Sequence, residues 1–360
     1  MSAVRPFAGL PDDVGAERWR YVRLVDHGDQ SLTLTRVVRP WLESLVADQL
    51  VDRFFFIRYE LGGPHLRLRW RLRTTDPAAG AAADGEIEGR LDDLSKSRWR
   101  GQPAPERWTA EKIRRVNRAI LGRDPETEGD APRFEHGTWH RAPMAFETRR
   151  YGGPAHLDQT LRLFGFSSVI ALDLLGELPQ GSPAFVPRVI GRLIRLAFAL
   201  SLDEDEFLDL VGYGPRFFGP TFSACRDQGD RVFAGAADRL ERLARLEMGA
   251  ASDGLAVDGA ADGAAPSLDA AACRAARLHS EALPRNRGRW YALASHLHMF
   301  ANRVGALNPQ EVYWSRLAKL ACLGVRDRDP DTWRRLWRTP RAPLCAASKE
   351  ALNLWMHRHD

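Results

Sequence analysis

His65-Leu-Arg-Leu-Arg-Trp-Arg-Leu-Arg73 alternates polar or basic residues with large apolar ones without a break. Period-two alternation marks a strand with two unlike faces. His65, Arg67, Arg69, Arg71 and Arg73 share one face, and Leu66, Leu68, Trp70 and Leu72 share the other. Just upstream, Phe54-Phe-Phe-Ile-Arg-Tyr59 is rich in the aromatic and β-branched residues that suit a strand, and Glu60-Leu-Gly-Gly-Pro64 supplies a turn. The pair reads as a β-hairpin. Farther out, Trp19-Arg-Tyr-Val-Arg-Leu-Val25 alternates over most of its length and stops at the turn signal Asp26-His-Gly-Asp29. Leu32 to Val51 places Val38, Trp41, Leu42, Leu45, Val46 and Leu50 at helical spacing. The first 75 residues therefore read as a strand–helix–strand unit that includes the hairpin.

Asp76 to Gly89 is small and polar and predicts a loop. Helix resumes over Glu106 to Leu121, and Gly122 to Pro143 is irregular. From Ala155 onward the pattern is helical, with segments at 156–177, 186–201, 204–211, 229–248, 269–281, 288–304, 309–323 and 346–357. Gly249 to Pro266 is a low-complexity linker or loop. No period of 20–50 residues repeats, which argues against a solenoid or propeller. The expected fold is α+β, an antiparallel sheet in the N-terminal half covered by a helical C-terminal half, in a single catalytic domain spanning 1–360.

With 360 residues, 44% of them hydrophobic and 28% charged, the chain can bury a core without staples. That excludes wholesale disorder and a disulfide miniprotein. Cys225, Cys273, Cys322 and Cys345 lie far apart, form no C-x-x-C pair and read as reduced thiols, so no metal site is expected. Met1 to Arg20 lacks a signal pattern, and no window approaches the ~18 apolar residues of a membrane helix. A cytoplasmic protein with no membrane partner is expected. The net charge is +5, and lysine occurs only at 96, 112, 319 and 349. Arginine dominance favours carboxylate pairing, and it follows equally from GC-rich codon usage. The mild charge permits an anionic or peptide partner without demanding nucleic acid.

Three stretches carry candidate chemistry. The arginine row of 65–73 is either a solvated sheet face or a basic groove for a peptide backbone, carboxylate or phosphate. Glu147-Thr-Arg-Arg-Tyr-Gly-Gly-Pro154 is either a structural turn before a helix or a sharp turn with a Glu147–Arg150 ion pair at its mouth. In Arg289 to Val304, Tyr291, Ser295, His298 and Asn302 fall on one polar stripe of an otherwise apolar helix. That stripe is either a set of satisfied core polar groups or proton donors lining a pocket, with His298 the group suited to acid–base work. No G-x-G-x-x-G, Walker loop, G-x-S-x-G or H-E-x-x-H occurs, so no nucleotide, flavin or zinc cofactor is expected. His357 and His359 read as a frayed tail rather than a metal site.

Taken together these stretches resemble one family. Phe54 to Tyr59, the Gly-Gly-Pro turn and His65-Leu-Arg-Leu-Arg69 resemble the signature of the lantibiotic-dehydratase C-terminal family, the glutamate-elimination domain also known from thiopeptide-type bacteriocin biosynthesis. Glu147 to Gly153 resembles its E-x-x-R-Y-G-G, His298-Met-Phe-Ala-Asn-Arg303 its H-M-x-x-N-R helix, and Asn308 to Leu323 its final helix. The match runs from about Trp19 to Leu323.

The resemblance implies that Arg67, Arg69, Glu147, Arg150 and His298 stand where elimination domains act on glutamylated Ser or Thr. It also implies a second possibility, because free-standing members include pyridine synthases. These perform a formal [4+2] aza-cycloaddition between two dehydroalanines, with loss of water and of the leader peptide as an amide. The expected activity is the cyclase, on a dehydrated, azole-containing precursor peptide with leader, without a cofactor. Tyr291, Ser295, His298 and Glu147 are the expected catalytic residues. His65, Arg67, Arg69 and Arg150 are expected to bind core or leader peptide, and Trp290 to stack on azole rings. Other thiopeptide enzymes are further expected partners, and the chain is a monomer or homodimer. The alternatives are a split glutamate-eliminating lyase, a non-catalytic leader-binding scaffold, and, from pI alone, a nucleic-acid binder with steep salt dependence.

Overall fold

The computed structural model describes residues 15–99, 109, 111–113, 115, 134–256 and 267–338. They divide into two compact units, Gly15–Phe146 and the chain from Glu147 onward.

In the first unit, the alternating runs become strands β1 (Trp19–Val25), β2 (Val51–Tyr59) and β3 (His65–Leu72), as the pattern requires. A short β4 (Trp139–Arg141) completes an antiparallel sheet of order β2-β3-β1-β4. β4 falls in the stretch expected to be irregular. The hairpin turns through Gly62 and Gly63, both at positive φ. A Cβ at Gly63 would stand 2.8 Å from Nε2 of His27, so only glycine fits there.

The register sets Arg67 opposite Arg23 and Ile57, and Arg69 opposite Tyr21 and Phe55. The arginine row is therefore interleaved with rings. The Arg67 guanidinium lies 3.4 Å from the Tyr59 ring centroid, and that of Arg69 lies 4.4 Å from Tyr21 and 5.3 Å from Phe55. Arg71 instead makes a two-pronged bond to Asp52 at 2.7 and 2.6 Å. The repulsion that a bare row of like charges would suffer is offset by aromatic faces and one carboxylate. A solvated face is not what the row becomes, since Arg69 and Arg71 are buried.

The apolar face of the sheet is covered by helices of the same unit. A helical run of α1 (Gln30–Thr33), a π turn (Leu34–Val38) and α2 (Arg39–Ala47) is capped by Asp29, which accepts from the amides of Ser31 and Leu32. The expected helix reached Val51. It stops earlier because Gln49 is left-handed and Val51 starts β2. Trp41 of α2 stands edge-on to Trp70 of β3 at 5.6 Å.

The expected loop at Asp76 to Gly89 is instead the start of α3 (Pro77–Trp99). The Asp76 carboxylate accepts from the Ala78 amide at this end. The alanines carry high helix propensity, and Gly80, Ala83, Ile87 and Leu91 form one buried stripe. Low hydrophobicity hid that stripe in the sequence. Asp84 pairs with Arg20 of β1, and Asp92 accepts from the Trp139 indole of β4. Most of the expected 106–121 helix lies outside the described residues; Glu111–Ile113 and Arg115 are helical.

The second unit is all helix. Two 3-10 turns, Thr148–Tyr151 and Pro154–His156, lead into α4 (Leu157–Glu177), α5 (Phe185–Leu200) and α6 (Glu204–Val211). Next come α7 (Tyr213–Phe218), α8 (Ser223–Ala256), α9 (Leu268–Ala282), α10 (Arg287–Arg303), α11 (Asn308–Arg328) and α12 (Pro330–Arg338). Helix α8 runs on to Ala256 through the first half of the expected 249–266 loop; residues 257–266 lie outside the described ones. Helices α7 and α12 were not expected, and α12 anchors Trp337 against Phe198 and Phe207. The expected helix at 346–357, with His357 and His359, lies outside the described residues. The whole is α+β, sheet in the N-terminal half and helix in the C-terminal half. Among the described residues no helix is long and apolar enough to cross a membrane.

Candidate active site

The polar stripe on α10 exists, and its members differ in role. His298 turns Nδ1 toward the carboxylate of Glu311 on α11, 3.1 Å from one oxygen and 3.0 Å from the other. Glu311 is almost fully buried, and its Oε2 also accepts the hydroxyl of Tyr213 on α7 at 2.8 Å. Burial pushes the Glu311 carboxyl up from its usual range, while hydrogen bonds from His298 and Tyr213 and the charge of Arg150 pull it back. Tyr213 is pushed well up by burial and by the adjacent Glu311. Among the described residues no protein group bonds Nε2 of His298, and the ring is partly exposed.

Aromatic rings surround this imidazole. Phe217 lies 5.1 Å from it at 35°, and Phe218 meets it edge-on at 5.5 Å. Tyr291 stacks on Phe217 at 5.2 Å and 16°, with its own ring exposed. These contacts depend on Gly214, which passes so close to α11 that an added Cβ would stand 2.8 Å from the Val312 backbone.

Arg150 joins the group from the Thr148–Tyr151 turn. Its Nε donates to Ser295 Oγ at 3.0 Å, its Nη1 reaches Glu147 at 3.5 Å, and its guanidinium lies 5.7 Å from the Phe217 ring. Ser295 is fully buried and its hydroxyl is occupied on both sides, because it also donates to the Tyr291 carbonyl at 2.8 Å. Glu147 is exposed. Trp290 has one ring face under the Arg216 guanidinium at 4.0 Å, and among the described residues its buried indole N–H has no partner.

Two further members of the motifs are framework. Arg303 is fully buried and donates to Ser168 and Ser167 at 2.9 Å each, tying α10 to α4. Tyr151 packs on Phe164 at 5.0 Å and on His296 at 5.1 Å.

The helical unit thus brings together Glu147, Arg150, Ser295, His298 and Tyr291, with Trp290 beside them. His65, Arg67 and Arg69 lie in the sheet unit. There His65 is buried, its Nδ1 faces the Gly63 carbonyl at 2.8 Å, and burial pushes its pKa down to about 4. Sequence reasoning missed Glu311 and Tyr213. Glu311 stood in the recognised final-helix segment, an acid thirteen residues beyond His298; nothing local marked Tyr213. Among the described residues no three His, Cys, Asp or Glu groups are placed to hold a metal ion.

A profile described as lantibiotic biosynthesis dehydratase C-term matches residues 19–322. The chain belongs to the lantibiotic dehydratase C-terminal family. The match spans both units. Its fold is similar to that of TbtD, the pyridine synthase from thiomuracin biosynthesis, with TM-score 0.59 and 17% identity over 86% of this chain and 98% of TbtD. It is also similar to MibB, the tRNA-dependent lantibiotic dehydratase from Microbispora sp. 107891, with TM-score 0.54 and 17% identity over 87% of this chain. The chain spans only 28% of MibB's length. At these identities the likeness is one of fold. No curated protein sequence matches the chain. The family is, by its description, one of lantibiotic biosynthesis.

Proposed function

We propose that this chain is a cofactor-independent pyridine synthase. It joins two dehydroalanines of a leader-bearing, azole-containing precursor peptide by a formal [4+2] aza-cycloaddition, then releases water and the leader as an amide. The observation that carries this reading is a single imidazole, fixed by a buried carboxylate on one nitrogen and open on the other, set among stacked rings.

The chemistry needs two things. Two distant dehydroalanines must be held face to face, and such positioning removes up to roughly 7–11 kcal/mol of barrier in favourable intramolecular cases. One amide must pass to its iminol form and a hydroxyl must later leave as water, which are proton transfers worth about 10²–10⁴-fold each. Phe217, Phe218 and Tyr291 offer flat apolar surface for flat unsaturated groups, and His298 moves the protons. Ser295, with both its hydrogen bonds spent, acts by fixing Arg150, whose remaining donors face the peptide with Glu147. The other expected partners, the leader through Arg67 and Arg69 and further enzymes of the same biosynthesis, belong to this reading.

Glutamate elimination is the second reading, and Arg150 favours it, because a guanidinium near His298 suits a glutamyl carboxylate. Mass spectrometry of the purified protein with a leader-bearing azole peptide that holds two dehydroalanines tests the first. A pyridine macrocycle with the leader recovered as its amide is the expected result. Unchanged peptide, with glutamate released from a glutamylated peptide in the parallel assay, would replace cyclase by eliminase.

A further inference from the structure

We propose that Glu311, steadied by Tyr213, locks His298 in the tautomer that carries its proton on Nδ1, so that Nε2 presents a lone pair and His298 enters the reaction as a proton acceptor. The tautomer follows from geometry alone. Its use in the reaction rests on the cyclase reading.

Nδ1 lies within 3.1 Å of both Glu311 oxygens, the forked contact that one N–H makes with a carboxylate. The Tyr213 hydroxyl donates to Oε2 of the same group at 2.8 Å, so that oxygen is an acceptor. A carboxylate that receives two donors has no proton to lend to Nδ1. Glu311 has little room to reorient: it is 1% exposed, and the neighbouring Ser315 hydroxyl accepts from the Gly214 amide at 3.2 Å and donates to the Val312 carbonyl at 3.1 Å. Tyr213 is fully buried as well, and it comes from a helix remote in sequence.

With the proton held on Nδ1, His298 takes the amide proton on Nε2 as the iminol forms, becoming an imidazolium whose charge faces Glu311. The same proton is then delivered to the carbonyl oxygen of that amide, which completes the N–H to O–H shift of the iminol and restores the neutral imidazole. No proton passes to Glu311 or Tyr213. Both are positioning residues.

The test is nitrogen NMR of the full chain labelled at histidine, at pH 8, with the His298 signals assigned by their loss in His298→Asn. The expected wild-type spectrum shows a protonated, pyrrole-type Nδ1 and a pyridine-type Nε2 at His298. A protonated Nε2 overturns the proposal whatever the variants do. In Glu311→Ala the population is expected to move several-fold toward the Nε2–H form, which free imidazole side chains prefer; in Tyr213→Phe it moves the same way and less. An unmoved tautomer in Glu311→Ala with a native circular dichroism spectrum also overturns it. The expected tautomer in a chain that forms no pyridine would retire the cyclase reading and leave this assignment standing.

Discussion

Arg150 Nε donates to Ser295 Oγ across 3.0 Å, joining the Thr148–Tyr151 turn to the middle of α10. Lysine keeps the charge and lacks the fork that serves Ser295 and Glu147 together. Arg150→Lys is therefore expected to lower kcat/KM by about tenfold or more while binding leader peptide normally. Glu147→Gln should leave stability within about 1 kcal/mol, since an exposed ion pair contributes little. Urea midpoints and steady-state kinetics on the two variants check both statements.

His298→Gln removes the group that handles protons, and turnover is expected to fall by about 10²–10⁴-fold. Tyr291 differs from it, because the stacked ring is the feature in contact with Phe217. Tyr291→Phe should keep most activity. Tyr291→Ala loses a contact of about 0.5–1.5 kcal/mol and should raise KM several-fold. Equal losses in Phe and Ala would mean that the hydroxyl carries the function.

Gly152 has φ +92°, and a Cβ there would stand 2.2 Å from Leu283 Cδ2. Gly152→Ala combines left-handed strain with a clash and should cost about 2–4 kcal/mol. Because the turn that aims Arg150 ends at this residue, activity should fall at temperatures where the chain is still folded. Thermal unfolding followed beside the peptide assay separates the two effects.

Buried histidines set the response to acid. Burial pushes His65 down to about 4 and His279 to about 3, and His296 is pushed well down by burial and by the adjacent His279. An unfolded histidine binds its proton near pH 6.5, so acid protonates the unfolded chain first. Stability is complete above about pH 6.5 and is lost as pH falls from there, down to about 4 for His65 and about 3 for His279. Each group contributes up to about a tenfold change in the folding equilibrium per pH unit within its window. Urea unfolding at pH 7 and pH 5 should show the loss, and His279→Phe should make the dependence shallower by one proton.

Much of this molecule could be read from one sequence because its patterns were strong. β3 came out at its expected position, since unbroken alternation has one structural solution, β1 did so on an alternation that holds over most of its length, and the helices after Ala155 follow wide apolar stripes. The failures share a cause. Helix α3 is stabilised by burying Gly80 and Ala83, residues whose small apolar surface barely registers in a pattern, and by ion pairs to strands far away in sequence. The site was half legible for the same reason. Tyr291, Ser295 and His298 announce themselves as polar positions on an apolar helix, whereas Glu311 and Tyr213 acquire meaning only when α11 and α7 close on α10. The placement of Trp290 depended on Arg216, which local sequence does not couple to it.

Helices α10 and α11 are consecutive, and between them they hold both His298 and Glu311. The imidazole and the carboxylate that positions it thus lie in one contiguous segment of the chain. A recombination event that exchanged this hairpin between relatives would carry His298 and Glu311 across together. Chimeras cut at 286 and 329 are the evolutionary experiment the architecture invites.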